Sequence, residues 1–428
     1  MRRGIAATAL VASLALAATA CGGGSGDGDK AADGPVTITW WDTSDATNEA
    51  PTYKKLIEKF EKANKDIKVT YQNVPFAEAE QKYKTAAQAG KAPDVLRADV
   101  GWTAGLAELK YLAPLDGTPA VKEIGSFNQG LVEGAKVDGK LYGVPQVTDA
   151  LALLYNKEIF EKAGVKTPPT TWDELSKAAK TIKDKTGVDG IYLNPDSYFA
   201  LPFLYGEGGM MVDPANKKIT VNDAAGQKAT QTIVDMIKDG VAVKPDYTDG
   251  YNNMQAAFKD GKVAMVINGP WSTADDLSGK AFKNKDNLGI ASVPAGSSGK
   301  AGTPTGGHNL TVYNGSDAAH KAAAQKFVAF MTSAESQEFA SLGTGVLPTR
   351  DDAYTVEVVA DPVRAAFKNV LTDSTPRPAV AGVSDMFAEW TKQHVEILKG
   401  NASVEKGLDT TADKWKANVG SLKEYSIG

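Results

Sequence analysis

Val36, Ile38 and Trp40 alternate with Thr37, Thr39 and Trp41, a period-two pattern that predicts a strand over 36–41. Polar residues 42–49 read as the loop after it. Pro51 fits a first helical turn, where its missing N–H costs little. Tyr53, Leu56, Ile57 and Phe60 then recur at i, i+3, i+4 and i+7, the inner stripe of an amphipathic helix. Ile67 to Tyr71 predicts a second strand, and a β-α-β opening implies a parallel sheet. Ligands at such sheets gather at the carboxyl ends of the strands.

The pattern continues with a small-residue helix at 79–89 and a buried strand at 93–96 that leaves through a polar-aromatic exit, 97–102. Thr171 and Glu174 form a capping box for a helix from Trp172; Leu175, Ala178, Ala179 and Ile182 are its inner stripe and Gly187 its stop. Strand 263–267 runs into the loop Asn268-Gly-Pro-Trp271. Further helices fall at 324–331, 383–399 and 405–416, with Trp390, Trp415, Phe327 and Phe330 assigned to packing. Strand 288–293 and Pro348 to Arg350 read as crossings between two lobes, and the Gly/Ser/Pro/Thr-rich 296–307 as a flexible loop. The chain is organised around 142–157, an extended run through Pro145 into the apolar strand Ala150 to Tyr155. A lone acid, Asp149, stands at its entrance. A carboxylate there must be paired, hydrated or given hydroxyl donors, because burying it bare is expensive. The segment therefore reads as a crossing with Asp149 facing the cleft.

Length and composition narrow this picture. A chain of 428 residues is too long for one ordinary core, so two lobes are the default. A balance of 47 Lys+Arg against 52 Asp+Glu, net −5, argues against nucleic acid or an anionic membrane surface as main partner. His308, His320 and His394 form no close pair, so no metal and no cofactor are expected. Cys21 is the only cysteine, which excludes an intramolecular disulfide and a Cys-based zinc cluster. Arg2 and Arg3, the apolar run 5–16 and the small residues 18–20 have the layout of a secretory signal peptide over 1–20. The apolar run is too short for an ordinary spanning helix. Its junction with Cys21 resembles that of bacterial lipoproteins, which implies acylation of Cys21 after cleavage. The Gly-rich 21–34 is then a flexible tether reaching roughly 20 Å as a random coil.

Candidate chemistry comes from the loops after strands, where acids and aromatics recur together: Trp41, Asp42 and Glu49; Asp99 and Trp102; Asp149; Asp196, Tyr198 and Phe199; Trp271. Sugars suit such a mixture. Their ring faces are apolar and lie against flat aromatic side chains. Their hydroxyls donate to carboxylates, at about 1.5–3 kcal/mol for a hydrogen bond to a charged group.

The motifs YGVP, TDALALLYNKEIFEKAG and TPPTTWDEL resemble the hinge region of family 1 extracellular solute-binding proteins, the sugar receptors of ABC importers. The resemblance runs from about Val36 to about Lys416 and is nearest to maltose/maltodextrin- and trehalose-binding members. It implies an α/β fold of the two-lobed, type II periplasmic-binding-protein kind, with three crossings between lobes. The expected lobes are 35–147 plus 293–349 and 148–292 plus 350–428. Within the resemblance, ATNEAPTYKKL implies a sugar-binding acid at Glu49, PDVLRADVGW one at Asp99 with Trp102 nearby, and VTDAL one at Asp149. NPDSYFALPF implies an acid and a stacking ring at Asp196 and Tyr198, and AMVINGPW a stacking Trp271. TGGHNL implies close backbone approach at Gly306 and Gly307, with His308 a hydrogen-bonded wall residue. VSDMFAEW aligns Phe387 with a stacking aromatic that is Trp in the maltose-binding pattern.

The expected function is a lipid-anchored, monomeric receptor on the outer face of the cell membrane. It would deliver an α-glucoside, maltose or maltodextrin before trehalose, to integral-membrane permease subunits. The reading from a different class is an anchored glycoside hydrolase, which also uses paired acids. No GxSxG elbow and no P-loop Lys-Ser/Thr pattern occurs.

Overall fold

A computed structural model describes residues 35–378 and 380–428. The expected signal peptide, Cys21 and the tether lie outside the described residues.

In chain order the strands of the two main sheets are β1 (Val36–Asp42), β2 (Ile67–Asn73), β3 (Val95–Asp99), β4 (Val144–Ala150), β5 (Ala152–Asn156), β6 (Asp189–Tyr192), β7 (Val263–Asn268), β8 (Leu288–Ala291), β9 (Pro304–Val312) and β10 (Thr375–Pro376). The helices that matter below are α1 (Ala50–Ala63), α2 (Phe76–Gln88), α3 (Trp172–Thr186), α4 (Ala318–Met331), α5 (Ala334–Thr344), α6 (Val383–Leu398) and α7 (Val404–Asn418).

The first sheet runs β10-β9-β3-β1-β2, with β4 also paired to β9. Strands β1, β2 and β3 are mutually parallel, as the β-α-β opening requires. Strand β9 is antiparallel to both β3 and β4. Helices cover both faces, so β1 buries residues on each. Ile38 and Trp40 join Tyr53 and Phe60 of α1 and Phe327 of α4, while Trp41 packs on the cluster around Tyr83 of α2. The second sheet runs β8-β5-β7-β6. Its largest core takes in Trp172 and Leu175 of α3, Trp390 of α6 and Trp415 of α7. The start of α3 matches its sequence: Thr171 Oγ accepts the Glu174 N–H, and Gly187 ends the helix at φ 75°. The Glu174 carboxylate reaches back one residue further than a standard capping box, to Thr170.

Leu151 alone separates β4 in the first sheet from β5 in the second. The chain returns between Ala291 and Pro304, so 288–293 is an edge strand of the second sheet followed by a crossing. It crosses again at Leu347, whose backbone bridges Thr148. Arg350 fixes this last passage. Its guanidinium, 4% exposed, donates to Asp352 at 2.6 and 2.7 Å and to Glu123 at 2.8 Å.

The expectation of a flexible loop across 296–307 is corrected. Residues 304–307 belong to β9, a nine-residue strand with partners on both sides. Pairing with Asp149 and Thr148 of β4 holds Gly306 and Gly307 in the strand despite their weak strand preference.

Candidate ligand-binding cleft

Strand direction puts the chemistry at one edge of each sheet. β1, β2 and β3 end at Asp42, Asn73 and Asp99, and antiparallel β9 begins beside them. Antiparallel β4 therefore brings its last residues, Val147 to Ala150, to the same edge. In the second sheet β6 and β7 end at Tyr192 and Asn268, next to the start of β5. The segments that follow carry Tyr198 and Trp271.

Two neighbouring rungs form the centre. Asp99 lies opposite His308 on β9, and Asp149 lies opposite Gly306. A Cβ on Gly306 would fall 2.0 Å from Asp149 Oδ1 and 2.8 Å from the Tyr198 hydroxyl. Glycine is needed because the carboxylate lies across the strand and a ring from the second lobe reaches the same spot. At Gly307, φ is 125° and a Cβ would meet Val147 O at 2.2 Å.

The charges around these rungs are buried. Arg377, just after β10, places Nη2 2.9 and 3.1 Å from the Asp99 oxygens and its guanidinium 5.5 Å from the Tyr198 ring centre. Asp99 also accepts the Gly101 N–H at 2.7 Å. Burial pushes the Asp149 carboxyl up to about 7; Arg377 pulls it back and Asp99 pushes it further up. Arg97, inside β3, donates from Nε to Gln146 at 3.0 Å and stands 3.6 Å from Glu49 Oε1. Burial raises the Glu49 pKa, and Arg97 opposes that.

Several polar atoms here have no hydrogen-bond partner: Glu49 Oε1, Gln146 Nε2, Arg377 Nε and both His308 ring nitrogens. Such atoms cost about 1–3 kcal/mol each when left unpaired, and a polar ligand is a ready source of partners. The expected hydrogen bond of His308 is thus absent among the described residues. Burial first, and then the two arginines, holds its ring neutral.

On the second lobe an aromatic chain lines the edge. Tyr198 meets Phe199 edge-on at 5.7 Å, Phe199 lies 6.2 Å from Tyr251, and Trp271 Nε1 donates to the Tyr251 hydroxyl at 3.0 Å. The Trp271 ring lies over Gly269, where a Cβ would be 1.9 Å away.

The structure brings Asp99, Asp149, Tyr198, Gly306, Gly307 and His308 together, with Glu49 linked through Arg97. Trp271 joins through the aromatic chain. The others have different partners. Asp42 is fully buried and spends its oxygens on Ser44 and Tyr71. Trp41 packs edge-on against Tyr83, while Phe387 stacks on Trp390 at 6.3 Å and also meets Tyr198 edge-on at 6.1 Å, beside the centre. Exposed Asp196 caps the turn Ser197–Ala200 by accepting the Tyr198 N–H. Trp102 is covered by Phe76. Arg97 and Arg377 were missed. A charge between Leu96 and Ala98 signals a buried ion pair, and an arginine between Pro376 and Pro378 signals a stiff strap.

A cavity of about 420 Å³ adjoins this centre. Thr148, Thr305, Gly101 and Arg377 are among the residues that line it. None of the thirteen expected ligand-binding residues lines it, but Arg377, the partner of Asp99, does.

Residues 45–338 match the family of bacterial extracellular solute-binding proteins. The chain belongs to that family. Among solved structures of similar solute-binding proteins, the GacH receptor of Streptomyces glaucescens GLA.O is 43% identical, with a TM-score of 0.87 over 92% of this chain and 100% of that one. It is described unliganded and in complex with acarbose and an acarbose homolog. Maltose-bound MalE3 of T. maritima is 28% identical, with a TM-score of 0.83 over 89% of this chain and 99% of that one. The diacetylchitobiose binding protein DasA of Streptomyces coelicolor is 30% identical over 359 residues, 82% of this chain and 83% of that one. The fold is the type II binding-protein fold of these neighbours.

Two predictions follow from the geometry of this solute-binding cleft. Gly306→Ala should destabilise the ligand-free protein in urea by about 1–3 kcal/mol through overpacking, and Asp149→Ala in the same chain should relieve most of that cost; full additivity would contradict the contact. The second concerns the loop carrying Trp271. Ser272 Oγ lies 3.0 Å from Gly269 O and 2.8 Å from Asp276 Oδ2, yet a hydroxyl has one proton to give. Both contacts are satisfied when Asp276 is protonated and donates to Ser272. Burial pushes this acid up to about 7; Ser272, Gln255 and Lys259 oppose and Asp275 reinforces the shift. With the folded pKa above the unfolded value, its stabilisation is lost as pH rises from about 4 through 7. Asp276→Asn should therefore gain stability relative to wild type between pH 5 and pH 8; a difference independent of pH would refute the buried proton.

Proposed function

We propose that this chain is the receptor of an ABC sugar importer, taking an α-glucoside oligosaccharide of the maltose/maltodextrin kind between its lobes and passing it to membrane permease subunits. The supporting observation is Asp149 and Tyr198 meeting at Gly306, with the Asp99–Arg377 pair and unpaired polar atoms on the neighbouring strands and an aromatic chain from the other lobe beside them. Carboxylates and arginine match sugar hydroxyls, and the flat rings match the apolar ring faces. A ligand touching both lobes shifts the open–closed equilibrium because it binds the closed form better. The ligands named for the neighbours above, acarbose, maltose and diacetylchitobiose, support a sugar. The 43% identity to GacH weights the choice toward α-glucosides, with trehalose next.

The chain binds its ligand unchanged. Maltotriose should give a one-to-one calorimetric isotherm near micromolar, about −8 kcal/mol, and remain intact on prolonged incubation; release of glucose would overturn the receptor reading. Hydroxyl donors favour the ionised form of Asp149, so binding lowers its pKa. Near pH 6.5 the binding heat should depend on buffer ionisation enthalpy in the sense of proton release, and Asp149→Asn should abolish that dependence. A wild type without proton release would remove Asp149 from ligand contact.

The receptor acts as a monomer held at the outer face of the membrane by an acylated Cys21. Labelled palmitate should enter the wild type and not Cys21→Ala; equal labelling would exclude the anchor.

A further inference from the structure

Phe76 opens α2 three residues after β2 ends, at the carboxyl edge that holds Asp99. It is 48% exposed, the one aromatic among the exposed large hydrophobic side chains of the described residues. Phe76, Ala79 and Tyr83 share a helix face at i, i+3 and i+7, but only Ala79 and Tyr83 are covered by the core. The ring therefore continues the inner stripe past the end of the sheet, where nothing of the helix's own packing requires it.

Its position is fixed. It stacks on Trp102, centroids 5.0 Å apart and planes 28° apart. Trp102 is 7% exposed, so it backs the pair while Phe76 offers its outer surface to solvent. The edge of His308 closes one side at 5.9 Å, and His308 is the direct cross-strand neighbour of Asp99. Both His308 nitrogens lack partners. A solvent-facing aromatic plane thus adjoins unpaired nitrogens and a carboxylate that Arg377 already holds.

We propose that Phe76, backed by Trp102 and flanked by His308, is an additional sugar-ring subsite that extends the cleft from Asp99 and makes the receptor favour longer oligosaccharides. The proposal rests on the sugar-receptor reading above. One pyranose face lies on the Phe76 ring by apolar burial and dispersion, and its hydroxyls reach the His308 ring, which is neutral and accepts at one nitrogen.

The test is calorimetry of maltose, maltotriose and maltotetraose with wild type, Phe76→Ala and Phe76→Tyr, with thermal unfolding of each protein alongside. In the wild type affinity should rise with chain length. In Phe76→Ala the ratio of tetraose to maltose affinity should fall about tenfold, while Phe76→Tyr, which keeps the plane, should retain it. A wild type indifferent to length, or a Phe76→Ala variant that keeps the wild-type ratio, would overturn the subsite and leave the receptor reading standing. A wild type that binds no sugar would overturn both.

Discussion

A carboxylate laid across a glycine is the contact on which the site depends. Asp149 can occupy its place only because Gly306 has no side chain, and the β4–β9 ladder holds the two residues opposite each other. The same ladder is the last pairing of the first sheet before the chain leaves it at Leu151. Fold and chemistry therefore share one element. The backbone bonds that keep the sheet intact also aim an acid at the opening between lobes, where Tyr198 from the second lobe meets it.

The second theme is how buried charge is tolerated. Arg97 and Arg377 are buried guanidiniums, and each answers to carboxylates on loops that sequence alone marks as ligand-facing. Taking both partners out of water is expensive, and the attraction between them offsets this only with good geometry. The pairs leave atoms over: a Glu49 oxygen, an Arg377 nitrogen, the His308 ring. Such left-over atoms support the proposed closure on something rich in hydroxyls.

Much of the framework was legible because periodicity and punctuation act locally. The alternation of β1, the stripe of α1 and the Thr171/Gly187 limits of α3 all follow from neighbours within a few residues. The acids at 99 and 149 were legible for a similar reason, as charges at the ends of apolar runs. What escaped depends on distant partners. Gly306 and Gly307 have loop propensity, and β4, far away in sequence, makes them strand. The partners of Arg97 and Arg377 are distant in sequence, and their roles show only once Glu49 and Asp99 are brought beside them. Asp42 looks like a ligand acid until Tyr71 and Ser44 are seen to use its oxygens.

The shortness of the passage through Leu151 has a mechanical outcome. A single linking residue offers two soft dihedrals, so it behaves as a fulcrum rather than a leash. Asp149 and Gly306 both stand on the fixed side of that pivot and travel as one piece at any lobe angle. The approach of Tyr198 to Gly306 crosses the pivot and is the contact that would part in the proposed opening. In the proposed receptor the acid end of the grip is thus preset, and the arriving solute has only to draw the rings in.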